Sequence, residues 1–130
     1  MRLKQIAHKT GTMSEEAIQS VTVESHPGSC AGVTVLKVVG PLTIRNFFEF
    51  QDLTRKDASP VLIVDLAAVP YMDSAALGSI LGLHVSCGKH NRKYALINAS
   101  DRLLTMFTVC GVRDVLVTFP NLAEAEAALI

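Results

Sequence analysis

Within Val69-Pro-Tyr-Met-Asp-Ser-Ala-Ala-Leu-Gly-Ser-Ile-Leu-Gly82 an acid and a hydroxyl, Asp73 and Ser74, stand side by side where an apolar run gives way to a small-residue helix pattern. Two chemistries suit that pair. In one, the Ser74 hydroxyl accepts a hydrogen bond from a free backbone N–H of the helix starting at Ala75, a cap worth about 1 kcal/mol. In the other, Ser74 is a phosphate acceptor, because the unpaired N–H groups and positive dipole end of a helix stabilise an attached anion. Phosphorylation there adds about −1.5 to −2 charges beside Asp73. It turns a mildly acidic loop into an anionic knob that a closely packed partner must desolvate or leave. The small residues Ala75, Ala76, Gly78, Ser79 and Gly82 keep the helix slim, and an interior glycine costs about 1 kcal/mol relative to alanine. Tight packing on a sheet, or a nearly flat docking surface around Ala75 and Gly78, would offset that cost.

Other constellations fit less well. Asp65 or Asp73, cast as a phosphate-accepting aspartate after a central strand, needs further carboxylates to hold a hard cation, and the first strands end without an acidic pair. A serine nucleophile needs a positioned histidine, yet there is no Gly-x-Ser-x-Gly elbow and none of the four histidines has an evident catalytic companion. His84, Cys87 and His90 recur at equal spacing, but their directions drift around a helix and no fourth ligand stands near. Gly78 and Gly82 lie inside a helix pattern rather than in a phosphate-cradling loop. The expectation is a protein that is not an enzyme and uses no metal and no cofactor.

Composition narrows the partners. A chain of 130 residues suits one domain with one real core. Lys plus Arg number 12 and Asp plus Glu number 12, so no basic excess gathers nucleic-acid phosphates or anionic lipid. Tryptophan is absent and aromatics make up 5% of the chain, which leaves no stacking platform for single strands. No apolar run approaches a membrane span, and the start, Met1-Arg-Leu-Lys-Gln-Ile-Ala-His-Lys, lacks the apolar region of a signal peptide. A cytoplasmic protein without membrane insertion is expected. Cys30, Cys87 and Cys110 are odd in number and set in apolar surroundings, which suits reduced, buried thiols.

The elements that must position Asp73 and Ser74 follow from periodicity. Residues 1–19 mix Lys, His, Thr, Gly and Glu without a firm period, as a mobile extension or one short helix would. From Ser20, Val21 and Val23 alternate with polar residues, His26-Pro-Gly-Ser29 supplies a turn, and Val33 to Val39 completes an antiparallel hairpin. Gly40-Pro41 breaks the strand, and Thr43 caps a helix whose Ile44, Phe47 and Phe48 recur through to about Arg55. Val61-Leu-Ile-Val-Asp-Leu66 is nearly continuous in apolar residues, as a central strand covered on both faces must be.

A helix from Ala75 to about Cys87 follows, with Leu77, Ile80, Leu81 and His84 or Val85 on one face and Gly88 as its stop. Tyr94 to Asn98 is a strand; Ser100 or Asp101 caps a helix that packs Leu103, Leu104 and Phe107 and ends at Gly111. Val115 to Phe119 is the last strand, and Asn121 with Glu124 opens the final helix in the manner of a capping box. The pattern predicts an α/β fold: a mixed sheet of about five strands and about four helices, an initial hairpin followed by alternating β/α units. In such sheets functional groups sit in loops outside the carboxyl ends of the strands, where Pro70 to Ser74 falls.

The stretch "VLIVDLAAVPYMDSAALGSIL" resembles the signature of the STAS domain family, typified by anti-sigma factor antagonists. "VVGPLTIRNFFEF" and "LINASDRLLTMFTVCGVRDVL" are similar to two further family segments, so the resemblance spans about 20–130 and implies a STAS fold there, behind an N-terminal extension at 1–19. By that resemblance Ser74 matches the serine phosphorylated by an anti-sigma factor with serine kinase activity. Unphosphorylated, such a protein binds the anti-sigma factor and frees sigma; phosphorylated, it lets go, and a serine phosphatase restores it. The resemblance also places Thr43, Asp73, Ser74, Ala75, Leu77 and Gly78 at or near the docking surface, and implies a monomer or weak dimer. Many members carry Ser-Gly or Thr-Gly where this chain has Ala75-Ala76, so a neighbouring acceptor is lost while Ser74 remains. Stressosome-like scaffold subunits and transporter-associated domains share the fold and stand as the alternative.

Overall fold

Val61–Ala68 alternates its side chains between two apolar layers, and the rest of the molecule is arranged around it. Leu62, Val64 and Leu66 join one buried cluster, while Val61 and Ile63 join another on the opposite face, the period-2 geometry of an extended strand. The structure, a computed structural model, describes the backbone of residues 2–6 and residues 21–130. In chain order the elements are β1 (Arg2–Ile6), β2 (Val21–Pro27), β3 (Val33–Val39), α1 (Phe47–Lys56), β4 (Val61–Ala68), α2 (Ser74–Lys89), β5 (Lys93–Ile97), α3 (Asp101–Val109), β6 (Thr118–Phe119) and α4 (Leu122–Leu129).

One sheet holds all six strands in the order β1-β2-β3-β4-β5-β6. The pairs β1-β2 and β2-β3 are antiparallel; β3-β4, β4-β5 and β5-β6 are parallel. The hairpin, the central strand and the alternating β/α units therefore stand as the sequence implies, and the α/β class holds. One strand was missed: Arg2–Ile6, inside the expected extension, pairs with Val21–Ser25 and extends the sheet at its edge. Five residues with only mild alternation carry too little pattern to show a strand before its neighbour is known. The remainder of the expected extension, 7–19, lies outside the described residues.

The larger core cluster takes Phe50 of α1, Ile80 and Leu83 of α2, and Leu103 and Phe107 of α3 against the sheet, while the smaller one takes Ala125 of α4 on the other face. Several local expectations need correction. The inward residues of α1 are Phe50 and Thr54; Ile44 and Phe48, expected inside, are 61% and 65% exposed. On α2 the buried stripe is Ala76, Leu77, Ser79, Ile80, Leu83 and Cys87, and Val85 faces out. Gly88 lies within α2, which ends at His90, with Asn91 taking the left-handed turn at φ 55°. Ser100 caps α3 and Asn121 caps α4 as expected, their side-chain oxygens accepting from Leu103 N at 3.2 Å and Glu124 N at 2.9 Å. Of the three thiols only Cys87 is buried; Cys30 and Cys110 are exposed, next to Ala31 and Val109, which are exposed as well.

Candidate functional site

Two loops leave the carboxyl ends of the adjacent parallel strands β3 and β4, and backbone hydrogen bonds close them on each other. Gly40 turns out of β3 with φ 111°, a conformation that favours glycine, and its N–H donates to Ala68 O at 2.9 Å. Leu42 N donates to Tyr71 O and Asp73 N donates to Leu42 O, each at 3.2 Å, so Leu42 and Met72 form an isolated parallel bridge. Both of those side chains are buried. The two loops thus act as one short extension of the β3-β4 pair, rigid up to Asp73.

The Asp73 carboxylate completes the join. Its Oδ1 accepts from Ala76 N at 3.0 Å and its Oδ2 accepts from Ile44 N at 2.8 Å. With extended backbone angles, φ −100° and ψ −178°, Asp73 is the N-cap of α2. That corrects the capping assignment: Ser74 is the first helical residue, and the cap is the acid before it. The physical reason is reach. From one position earlier the carboxylate meets the N–H of the third helical residue and has a second oxygen left for the neighbouring loop.

Ser74 is left exposed, and its hydroxyl makes no hydrogen bond among the described residues. The N–H groups of Ser74 and Ala75 likewise find no acceptor there. The positive end of a sixteen-residue helix thus carries a hydroxyl and two N–H groups that have no partner among the described residues.

The other expected docking residues divide by burial. Gly78 is exposed and Ala75 half-buried, while Thr43 and Leu77 are only 7% and 5% exposed and so hold the surface rather than form it. Thr43 Oγ1 accepts from Arg45 N at 3.3 Å and Thr43 N donates to Asn46 Oδ1 at 2.9 Å, so Thr43 shapes the turn before α1 instead of capping the helix. A Cβ built on Gly78 or on Gly82 meets nothing within 4 Å. The glycines of α2 are therefore not explained by close helix-on-sheet packing.

The remaining chemistry-bearing residues are engaged in local pairs, and among the described residues no three His, Cys, Asp or Glu side chains gather as a metal site would need. His84 Nδ1 pairs with Tyr94 Oη at 2.8 Å, and that phenol accepts from Val117 N at 3.1 Å. Burial pushes the Tyr94 phenol and the Cys87 thiol above their ordinary values. His90 Nδ1 donates to Ser86 O at 2.9 Å. Asp65 Oδ1 accepts from Ala67 N and Asn98 Nδ2, which ties β4 to the turn after β5. Sequence reasoning did not single out Ile44, whose N–H is bound by Asp73, or Arg45 and Phe48 close to it in sequence; all three side chains are exposed. A signal was present: Phe47, Phe48 and Phe50 cannot share one helical face, because neighbours one and two apart diverge.

A family model described as "STAS domain" matches residues 21–125. The anti-sigma-B factor antagonist of Staphylococcus aureus (strain NCTC 8325 / PS 47) is 27% identical over 84 residues, which are 62% of this chain and 78% of that one. Among solved structures, an anti-sigma factor antagonist from Mycobacterium paratuberculosis superposes with a TM-score of 0.75 at 20% identity, covering 85% of this chain and 95% of that one. The anti-sigma factor antagonist SpoIIAA in its unphosphorylated form gives a TM-score of 0.66 at 14% identity, covering 82% and 95%. Murine Slc26a9, an anion transporter, gives 0.69 at 16% identity, covering 98% of this chain and 22% of the transporter. At these identities the structures share the fold alone.

Proposed function

The chain belongs to the STAS domain family, and from that premise we propose that it is an anti-sigma factor antagonist that binds an anti-sigma factor serine kinase, with Ser74 as the phosphorylation switch. The observation that carries this reading is the state of Ser74: exposed, without a hydrogen-bond partner among the described residues, and relieved of capping duty by Asp73. A serine that capped its own helix would have to break that bond to accept a phosphate. Ser74 has none to break.

The unclaimed N–H groups of Ser74 and Ala75 and the dipole end of α2 accommodate the added dianion. The fold therefore persists, and the effect falls on the partner. A docked protein faces a new charge next to the Asp73 carboxylate, and like charges brought together across an interface cost several kcal/mol. The name of the Staphylococcus aureus relative supports the same role. In this reading Thr43, Asp73 and Leu77 set the contour of the docking surface, while Ser74, Ala75 and Gly78 are the part a partner meets. The protein acts in the cytoplasm as a monomer or weak dimer, by binding alone, and a serine phosphatase reverses the switch.

Incubation with ATP and the anti-sigma factor kinase of the source organism tests the assignment. Phosphate enters the wild-type protein at Ser74, read by peptide mass spectrometry, and Ser74→Ala takes up none. Label on Ser79, which is buried and donates to Ala76 O, or no label at all, would overturn the reading. The fold likeness to an anion transporter supports a second reading, a domain that serves a transporter. That reading predicts no complex with the kinase in either phosphorylation state.

A further inference from the structure

We propose that Ile44, Arg45 and Phe48 form the anchoring patch on which the anti-sigma factor kinase seats, with apolar side chains of the partner against Ile44 and Phe48 and a carboxylate against Arg45. This inference rests on the reading of Ser74 given above and extends the surface from Thr43 to the exposed residues that follow it and to the first turn of α1.

Burying a large apolar side chain that now faces water is worth about 1.5–3 kcal/mol, and Ile44 and Phe48 expose 61% and 65% of theirs. They are not a mobile fringe. Ile44 N is held at 2.8 Å by the Asp73 carboxylate, and the Phe48 ring lies 4.2 Å from that of Phe47, which is half-buried against the core. Side chains ordered before docking lose less entropy on binding.

The patch also adjoins Ser74. α1 and α2 follow the parallel strands β3 and β4, pack on each other, and begin at the same end of the sheet. Gln51, Thr54 and Arg55 of α1 face Ser79, Gly82 and Ser86 of α2 across a shallow groove. Phe48 lies one turn before Gln51, at the Ser74 end of that groove, and Gly78 there has open space above it.

Charge identifies what the partner brings. Arg45 is exposed and enters no ion pair among the described residues. An arginine between two apolar side chains is a frequent composition for an interface hot spot, and it takes a carboxylate in bidentate fashion. Arg45 and Ser74 are the residues that follow Ile44 and Asp73, the two joined by the 2.8 Å hydrogen bond. A phosphate on Ser74 then competes with the partner's carboxylate for the Arg45 guanidinium, so the switch acts by occupying the anchor as well as by repulsion.

Isothermal titration of the purified full chain into the purified anti-sigma factor kinase tests the patch, with thermal unfolding as the folding control. Phe48→Ala and Arg45→Glu each weaken binding by about tenfold or more, whereas Val85→Ala, exposed on the same molecule, stays within about twofold. In Arg45→Ala, phosphorylation of Ser74 weakens binding by a smaller factor than in wild type. If Ser74→Asp loses affinity while Phe48→Ala and Arg45→Glu bind as wild type, the patch is refuted and the role of Ser74 survives. No binding by wild type removes both. A dimer in sedimentation that Phe48→Ala dissociates, with kinase affinity unchanged, would show that a second copy of this chain covers the patch and would also overturn the proposal.

Discussion

The two ends of the parallel strands each carry an aspartate that gathers several hydrogen bonds, and they are finished differently. At the amino end, Asp57 Oδ2 accepts from Arg92 Nη2 at 2.9 Å, Ser59 Oγ donates to Asp57 Oδ1 at 3.0 Å, and Arg92 Nε donates to Ser59 O at 2.7 Å. Thr34 closes the set on Ser59 Oγ. The ion pair is only 13% and 18% exposed, so charge is matched by charge and little is left for a partner. At the carboxyl end, Asp73 receives two neutral backbone N–H groups and, among the described residues, no cation, and Ser74 finds no partner among them; Ile44 and Phe48 are exposed. One end is closed by its own chemistry. The other is held by backbone hydrogen bonds and carries a carboxylate without a cation among the described residues, an arrangement that suits the proposed switch.

Substitutions graded by expected effect sharpen that contrast. Arg92→Ala leaves the Asp57 carboxylate without its cation and costs about 3 kcal/mol, the low end for breaking a pair that is mostly out of water. Urea denaturation measures it, and kinase affinity of the folded protein stays at the wild-type value. At the open end, Asp73→Ala removes a cap and orphans the Ile44 N–H, for about 2 kcal/mol. Asp73→Asn, with one acceptor oxygen, recovers roughly half of it. Unlike Arg92→Ala, both also weaken partner binding, because the 43–46 turn loses its anchor.

Gly82→Ala goes the other way, a gain of about 0.8–1 kcal/mol in thermal unfolding, since none of the described residues fills the space above it. Gly78→Ala gains as much in stability, and under the proposed docking it also loses kinase affinity, because the added methyl stands where the partner would pack. A destabilised Gly82→Ala would show that the outer face of α2 is already covered. The smallest effect belongs to the residue of greatest consequence: Ser74→Ala changes stability by less than about 0.5 kcal/mol. A loss of about 1 kcal/mol would restore Ser74 as the cap.

Long, strongly patterned segments were legible. The apolar run at Val61–Leu66 and the Asn121–Glu124 cap each state their structure locally, because one period or one side-chain bond decides them. What could not be read depends on contacts between segments. Nothing near Asp73 announces that its second oxygen belongs to Ile44, twenty-nine residues away in sequence, and without that bond Ser74 is the better-looking cap. Arg2–Ile6 is a strand only because Val21–Ser25 lies beside it. Phe48 was grouped with Ile44 and Phe47 by their helical spacing, whereas Phe50 and Thr54 fill the inward face. The sequence pointed to the Asp73-Ser74 step, and tertiary geometry assigned the cap there to Asp73 rather than to Ser74.

The central claim is that phosphate on Ser74 changes what the surface binds without changing the fold beneath it. Calorimetric affinity of the anti-sigma factor kinase for the unphosphorylated protein and for protein phosphorylated at Ser74, each with its thermal unfolding curve, tests this most directly. The account predicts binding weakened by about tenfold or more, at least about 1.4 kcal/mol, with superimposable unfolding transitions. Equal affinities in the two states, or a loss of binding that tracks a loss of stability, would contradict it.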